Sequence, residues 1–306
     1  MVDAQLSDHP PALAIIASPC FQVPAVQPET RVTVVCVTYQ SAAIVPTLAL
    51  TLARFAHVIV VDNASDDGTV AALQRHCVHA QVLAQPRNLG FGAANNRALQ
   101  EVRTEFALLL NPDCAIDADN LARLLACADR FPRAALIAPQ AYQGERAQVS
   151  YNSAYFERRA RSAYQVPEGP TCARFLIACS LLVRMAALGP TPFDERYFLY
   201  CEDDDLCLEA WARGFECLLE PAANVQHVGG GSSRPTWRVE YLKGYHHALS
   251  RRLFVRKHVG AAADWRLRLR HLALAPLAMI VFAVTGRRLQ LAKWVGRVAQ
   301  ALRSTT

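Results

Sequence analysis

Between Arg31 and Ala138 the chain alternates short β-branched runs with stretches of helical apolar spacing, and this alternation restricts the fold more than any other feature. Arg31–Thr38, His57–Val61, Ala80–Ala84, Phe106–Leu110 and Ala134–Ala138 read as buried strands. Ala42–Phe55, Asp66–His76, Gly90–Val102 and Ala118–Arg130 read as helices, the second with Ser65 or Asp66 as its N-cap. Strands that alternate with helices imply a parallel sheet with right-handed crossovers. The polar residues fall just past strands, at Thr38-Tyr39, Asp62-Asn63 and Asn111–Asp113. In an open α/β sheet, ligands bind at those carboxyl ends.

The remainder reads less regularly. Residues 1–30 are proline-rich and weakly patterned, as expected of a flexible N-terminal extension; residues 141–170 read as a long loop, and Ala173–Arg184 as an apolar segment. A chain of 306 residues, 52% of them hydrophobic, can build one large or two modest domains with a core. The N-terminus lacks a basic region before Ala12–Ala17, which argues against a signal peptide. The cysteines stand singly, without a CxxC pair, which argues against a zinc site and for reduced thiols in a cytoplasmic setting.

Charge is split along the chain. Residues 234–306 carry fifteen Lys and Arg against two acids, so the formal +6 of the whole hides an acidic body and a basic tail. Such a tail suggests an anionic partner. Tyr241–His258 reads as a basic helix. Leu272–Gly286 is uncharged, flanked by Arg266, Arg268, Arg270, Arg287 and Arg288, and shorter than the ~20 apolar residues that a membrane span requires. From Leu289 to Leu302, Leu289, Ala292, Val295, Val298 and Leu302 share one face while Lys293 and Arg297 share the other, a pattern that suits a membrane interface. The alternative is a C-terminal helix packed on the body or on a second subunit. The basic residues alternate with long aliphatic ones and few stacking aromatics, which argues against nucleic acid.

Three places could carry chemistry. Glu202-Asp203-Asp204-Asp205 lies between aromatic and aliphatic residues, with Leu206, Leu208 and Trp211 following at helical spacing. These acids suit a helix N-terminus; crowding them also raises proton affinity, which suits a general base. Asp113 and His227 are each readable as a turn residue and a packed histidine, but together they could hold a divalent ion, manganese rather than magnesium given the imidazole, to neutralise a diphosphate leaving group. Asn88-Leu89-Gly90-Phe91-Gly92 offers backbone N–H groups at a helix start that could approach a phosphate.

The ordered set Val37–Ser41, Val60–Gly68, Asn88–Asn96, Leu109–Asp113, Phe193–Phe198, Glu202–Leu208 and His227–Ser232 resembles the family 2 glycosyltransferases of GT-A fold, and most closely their bacterial rhamnosyltransferase-like branch. The resemblance covers roughly residues 31–233. It implies a Rossmann-like, mostly parallel sheet flanked by helices, with a nucleotide-sugar half (31–140), an acceptor half (141–233) and a basic helical extension (234–306). It implies inverting transfer from a nucleoside-diphosphate sugar, with rhamnose on thymidine diphosphate as the branch's pointer, to a hydroxyl of a saccharide or lipid-linked acceptor at the inner face of the membrane. By the same resemblance Tyr39 and Asp62 hold the nucleotide base, Asn88 and Asn95 lie by the nucleotide and phosphates, Thr38, Asn63, Gly90 and Asn111 complete the substrate-binding set, and Asp113 and His227 hold a Mn2+ or Mg2+ ion. Asp203 falls at the base position, supported by Glu202 and Asp205, with the adjacent Asp204 as the alternative base. Asn111 departs from the family pattern by replacing the first acid of the DxD motif, and Ile177–Ser180 stands where a glycine-containing turn is frequent. A synthase acting on polyprenyl phosphate and a non-catalytic nucleotide-sugar scaffold are the alternative readings.

Overall fold

The computed structural model describes residues 28–152, 165–227 and 235–303; all but the end of the expected N-terminal extension, and the glycine run after His227, lie outside them. A four-residue helix, α1 (Pro28–Arg31), precedes the strand β1 (Val32–Thr38). Arg31, expected in that strand, instead ends α1, where its guanidinium reaches Glu105 and Asp129. Then follow α2 (Val45–Leu52), β2 (His57–Asp62), α3 (Thr69–His76), β3 (Gln81–Ala84), α4 (Phe91–Leu99), β4 (Phe106–Leu110), β5 (Cys114–Ala115), α5 (Ala118–Arg130) and β6 (Ala134–Gln143). Four two-residue strands come next: β7 (Arg146–Ala147), β8 (Tyr151–Asn152), β9 (Thr171–Cys172) and β10 (Phe175–Leu176). They lead to β11 (Ser180–Arg184), α6 (Met185–Leu188), α7 (Glu202–Ala212) and β12 (Glu216–His227).

The main sheet has the order β3-β2-β1-β4-β11-β6-β12-β5. β1 pairs in parallel with β2 and β4, β2 with β3 and β6 with β12, while β11 runs antiparallel between β4 and β6. The β-branched runs read as buried on both faces because they are. Val34, Cys36, Val58, Val60 and Leu108 point into one core layer, and Val35, Ile59, Val61 and Leu109 into the other. Each such side chain contributes about 1.5–3 kcal/mol relative to exposure.

Several expectations give way. α3 starts at Thr69 after Gly68 (φ 89°), not at Asp66, because Ser65 and Asp66 are spent elsewhere: Ser65 bonds Asp62, and Asp66 accepts from Gln40. Asp67 does the local work, accepting from the Thr69 N–H and hydroxyl. The expected loop from 141 is ordered at its start, where β6 continues to Gln143 and turns through Gly144 (φ 60°) into β7. β12 was not legible as a strand: Pro221 interrupts its pattern, and its register on β6 shifts between Glu220 and Asn224.

The tail forms three helices, α8 (Trp237–His258), α9 (Ala261–Val284) and α10 (Arg288–Leu302). The uncharged run, as far as Val284, is the end of one 24-residue helix rather than a separate short segment. Among the described residues α9 alone is long and apolar enough to cross a membrane. Leu289 and Leu302 of α10 are exposed, but Ala292, Gly296, Gln300 and Ala301 are buried, because α10 lies against α8 with backbones nearly touching at Gly244 and Gly296. A Cβ on either glycine would collide with the partner helix's backbone. Both acids of the tail are used inside: Asp264 bonds the buried Arg252 at 2.7 Å, and Glu240 pairs with Lys243 and Lys293.

Candidate active site

At the carboxyl ends of β1 and β2, Thr38 faces Asp62 across the parallel ladder. The Asp62 carboxylate, 1% exposed, accepts from the Thr38 hydroxyl (3.1 Å), the Ser65 hydroxyl (2.6 Å) and the Ser65 N–H (2.9 Å), so it is held rigidly. Tyr39, next along, is exposed, over a third of its surface reachable by solvent. Asn63 is buried and braces the following loop from both ends of its amide: Nδ2 donates to the Gly90 carbonyl and Oδ1 accepts from Leu89 N–H. The Asn88 side chain accepts from Gly90 N–H at 2.9 Å. Gly90 has φ 88° and lies against the Phe198 carbonyl, which accepts from Phe91 N–H at 2.9 Å; any Cβ there would strike that backbone. Asn95, expected near the phosphates, is buried and donates back to the Phe91 carbonyl within α4.

The acid cluster forms the first turn of α7. The turn before it is strained, since Tyr200 and Cys201 both take left-handed backbone, φ 73° and 65°. Asp203 Oδ2 accepts from Ala178 N–H (3.4 Å) and Oδ1 from Asp204 N–H (3.0 Å). Burial pushes its proton affinity up, against the pull of those two N–H groups. Glu202 is likewise pushed well above the ordinary carboxylate range, by burial first and by the neighbouring Asp203 charge second, and its Oε2 has no hydrogen-bond partner among the described residues. Asp205 turns the other way. Its buried carboxylate meets Lys257 Nζ at 2.9 Å, His258 Nε2 at 2.6 Å and the Tyr197 hydroxyl at 3.2 Å, which fastens α7 to the end of α8.

The third group lies where β4 and β12 end and β5 begins. Asn111 N–H donates to the Cys179 carbonyl (2.9 Å), one residue from the Ala178 that bonds Asp203. Asp113 Oδ1 stands 3.7 Å from His227 Nε2. Gln148 grips His227 twice: its Oε1 accepts from Nδ1–H at 3.0 Å, and its Nε2 donates to the His227 carbonyl at 3.3 Å. That clamp fixes the amide's orientation and the ring tautomer, leaving Nε2 as the ligand atom beside a carboxylate. Such an outer-shell partner is what a metal-binding histidine requires, so these residues fit a divalent cation.

Four bonds join the three groups into one rim: Asn63 to Gly90, Phe91 to Phe198, Ala178 to Asp203 and Asn111 to Cys179. Sequence reasoning missed Gln148, Lys257 and His258, which carried no local signal. It also passed over Asn96, whose amide bonds both backbone groups of Phe193 and reaches Glu195, joining α4 to the segment before the acids. An Asn-Asn pair inside an otherwise apolar helix was the available clue.

The family model described as Glycosyl transferase family 2 matches residues 33–189, just over half of the chain. An N-acetylglucosaminyl-diphospho-decaprenol L-rhamnosyltransferase of Mycobacterium tuberculosis is 28% identical over 217 residues, spanning 59% of this chain and 69% of that protein. Among solved structures, a mannosyltransferase from Pyrobaculum calidifontis in complex with GDP-Man and Mn2+ superposes with a TM-score of 0.55 at 16% identity, covering 89% of this chain and 85% of its own. S. aureus TarS superposes with a TM-score of 0.50 at 15% identity, over 90% of this chain and 56% of its own. The structural likenesses carry the GT-A architecture and the family match carries the activity class: the chain belongs to glycosyl transferase family 2 and is a glycosyltransferase.

Proposed function

We propose that this enzyme moves a sugar, rhamnose foremost, with inversion from a nucleoside-diphosphate donor to a hydroxyl of a lipid-linked saccharide at the cytoplasmic face of the membrane. The observation that carries this reading is the environment of Asp203, a carboxyl with raised proton affinity joined by the Ala178–Cys179 turn to Asn111. A base there takes the acceptor hydroxyl's proton as its oxygen bonds to the sugar's anomeric carbon. The bond to the diphosphate breaks on the opposite side. Thr38, Tyr39, Asp62 and Asn63 serve the nucleotide base, and the Asn88–Gly90 loop lies beside the diphosphate by its shape, since the N–H groups of Leu89, Gly90 and Phe91 are already bonded within the protein. Asp113 and His227 would hold Mn2+ or Mg2+, which when bound supplies positive charge to the departing diphosphate. The rhamnose and lipid-linked acceptor readings rest on the mycobacterial relative's name.

The membrane reading draws on α9. Trp265, Leu269, Leu277, Ile280 and Val284 are exposed, with Arg266 and Arg270 at one end and Arg287 and Arg288 at the other, while Asp264, His271 and Ala275 face inward. One face thus packs on protein and the other suits an anionic bilayer's interface. The test is Asp203→Asn assayed on a panel of donors with a lipid-linked disaccharide-forming acceptor. Transfer falls by about 10²–10⁴-fold with donor binding kept. Unchanged transfer removes Asp203 as base. Because a phosphate acceptor is already ionised, a small loss confined to polyprenyl phosphate would favour the synthase alternative.

A further inference from the structure

Cys114, Cys179 and His227 are far apart in sequence and come together at one sheet edge. Cys114 opens β5 and faces His227, the last residue of β12, in antiparallel register; Cys179 directly precedes β11. Their two sulfurs and an imidazole nitrogen all lie within 4.8 Å of one another. Both thiols are buried, and the proposed transfer chemistry uses neither. The Gln148 clamp occupies Nδ1 of His227 and leaves Nε2 available. Two thiols and an imidazole are a borderline-soft donor set, matched to tetrahedral Zn2+ and poorly matched to the oxygen-seeking Mg2+ or Mn2+.

We propose that Cys114, Cys179 and His227 bind Zn2+, with Asp113, 3.7 Å from His227 Nε2, at the fourth position. On binding, the two thiols release their protons to solvent and two Zn–S bonds form, with no change of oxidation state. Tetrahedral Zn–S bonds of about 2.3 Å put the sulfurs about 3.8 Å apart. The donors therefore draw together by side-chain rotation while the sheet holds the backbones. A consequence follows from the proposed catalytic role of His227 and depends on it: Zn2+ seated on the thiols takes His227 and Asp113 from the hard cation and inhibits transfer.

The test uses the metal-free full-length chain titrated with Co2+ and then Zn2+. One Co2+ per chain gives thiolate-to-cobalt charge-transfer absorption with tetrahedral d–d bands, and equimolar Zn2+ displaces it. Cys172→Ser, at an exposed cysteine, keeps the band; Cys114→Ser and Cys179→Ser together abolish it. Zinc-edge X-ray absorption on the unaltered protein shows sulfur neighbours at about 2.3 Å, a readout that stands whether or not the serine variants fold. A band that survives the double replacement, or a shell of nitrogen and oxygen only, overturns the site. Zn2+ bound through both sulfurs without inhibition upholds the site and instead removes His227 from the transfer machinery.

Discussion

Replacing Lys257 by methionine tests whether the basic tail sets the position of the acid helix. Lys257 Nζ lies 2.9 Å from Asp205, 2.9 Å from Glu209 and 3.4 Å from Asp194. The Asp205 side chain is 2% exposed and that of Lys257 26%. Removing one partner of a fully buried pair costs about 3–5 kcal/mol, and of an exposed pair about 0–1 kcal/mol. Lys257 lies between, and His258 and Tyr197 still bond Asp205, so the expected loss is about 1–3 kcal/mol. At about 2–4 °C per kcal/mol, heat unfolding should come roughly 2–12 °C earlier. Because α7 carries Asp203 on its first turn, kcat should fall while donor KM holds. Asp205→Asn in the same background should show a coupling of at least about 0.5 kcal/mol. An unchanged Tm with unchanged kcat, or effects that simply add to those of Asp205→Asn, would refute the link.

Gly90→Ala should raise donor KM sharply, read by nucleoside-diphosphate binding, because its Cβ meets the Phe198 carbonyl at a left-handed φ; normal binding would show that the loop yields. Glu202→Gln should flatten the pH dependence of stability. An acid whose folded proton affinity is raised favours the folded state while protonated, so the parent loses stability as pH rises from Glu202's ordinary 4.5 through its raised value. Urea midpoints across that window should separate the two proteins, and parallel curves would refute the assignment. Leu277→Glu with Ile280→Glu should abolish co-flotation with vesicles containing anionic lipid; retained flotation would remove α9 from the interface.

What the sequence made legible was local. Strands β1, β2 and β4 announced themselves as continuous apolar runs buried on both faces and helix α5 by one periodic apolar face, and the polar residues past the strands came out along the carboxyl edge of the sheet. The acids came out on the first turn of a helix, as their spacing required. What stayed hidden depended on distant partners. β11 is an apolar run whose direction and neighbours only the assembled sheet decides, and Pro221 hides the continuity of β12. The length of α9 was concealed because Arg266, Arg268 and Arg270 interrupt the apolar count without interrupting the helix. The Cys114, Cys179 and His227 cluster has no spacing signal, since three chain segments contribute one residue each. Asn95 and Asp205 matched their motif positions, but their hydrogen bonds lead into α4 and α8, directions that motif order does not encode.

The turn before α7 explains why the tail belongs to the same machine as the sheet. Two consecutive left-handed residues, Tyr200 and Cys201, cost about 1–3 kcal/mol each and persist only where their surroundings over-determine them. Those surroundings are largely α8: Ser250 donates to the Leu199 carbonyl at 2.8 Å, His246 stacks on Phe198 at 4.1 Å, His247 meets Tyr200 edge-on, and Phe254 packs with Tyr197 and Cys201. Phe198 in turn closes over Gly90 and bonds Phe91. One helix therefore supports both the Gly90 loop and the turn that presents Asp203, the two places where the proposed reaction puts donor and base. A displacement of α8, as by truncation of the tail, therefore relaxes that turn and loosens the Gly90 loop and Asp203 together.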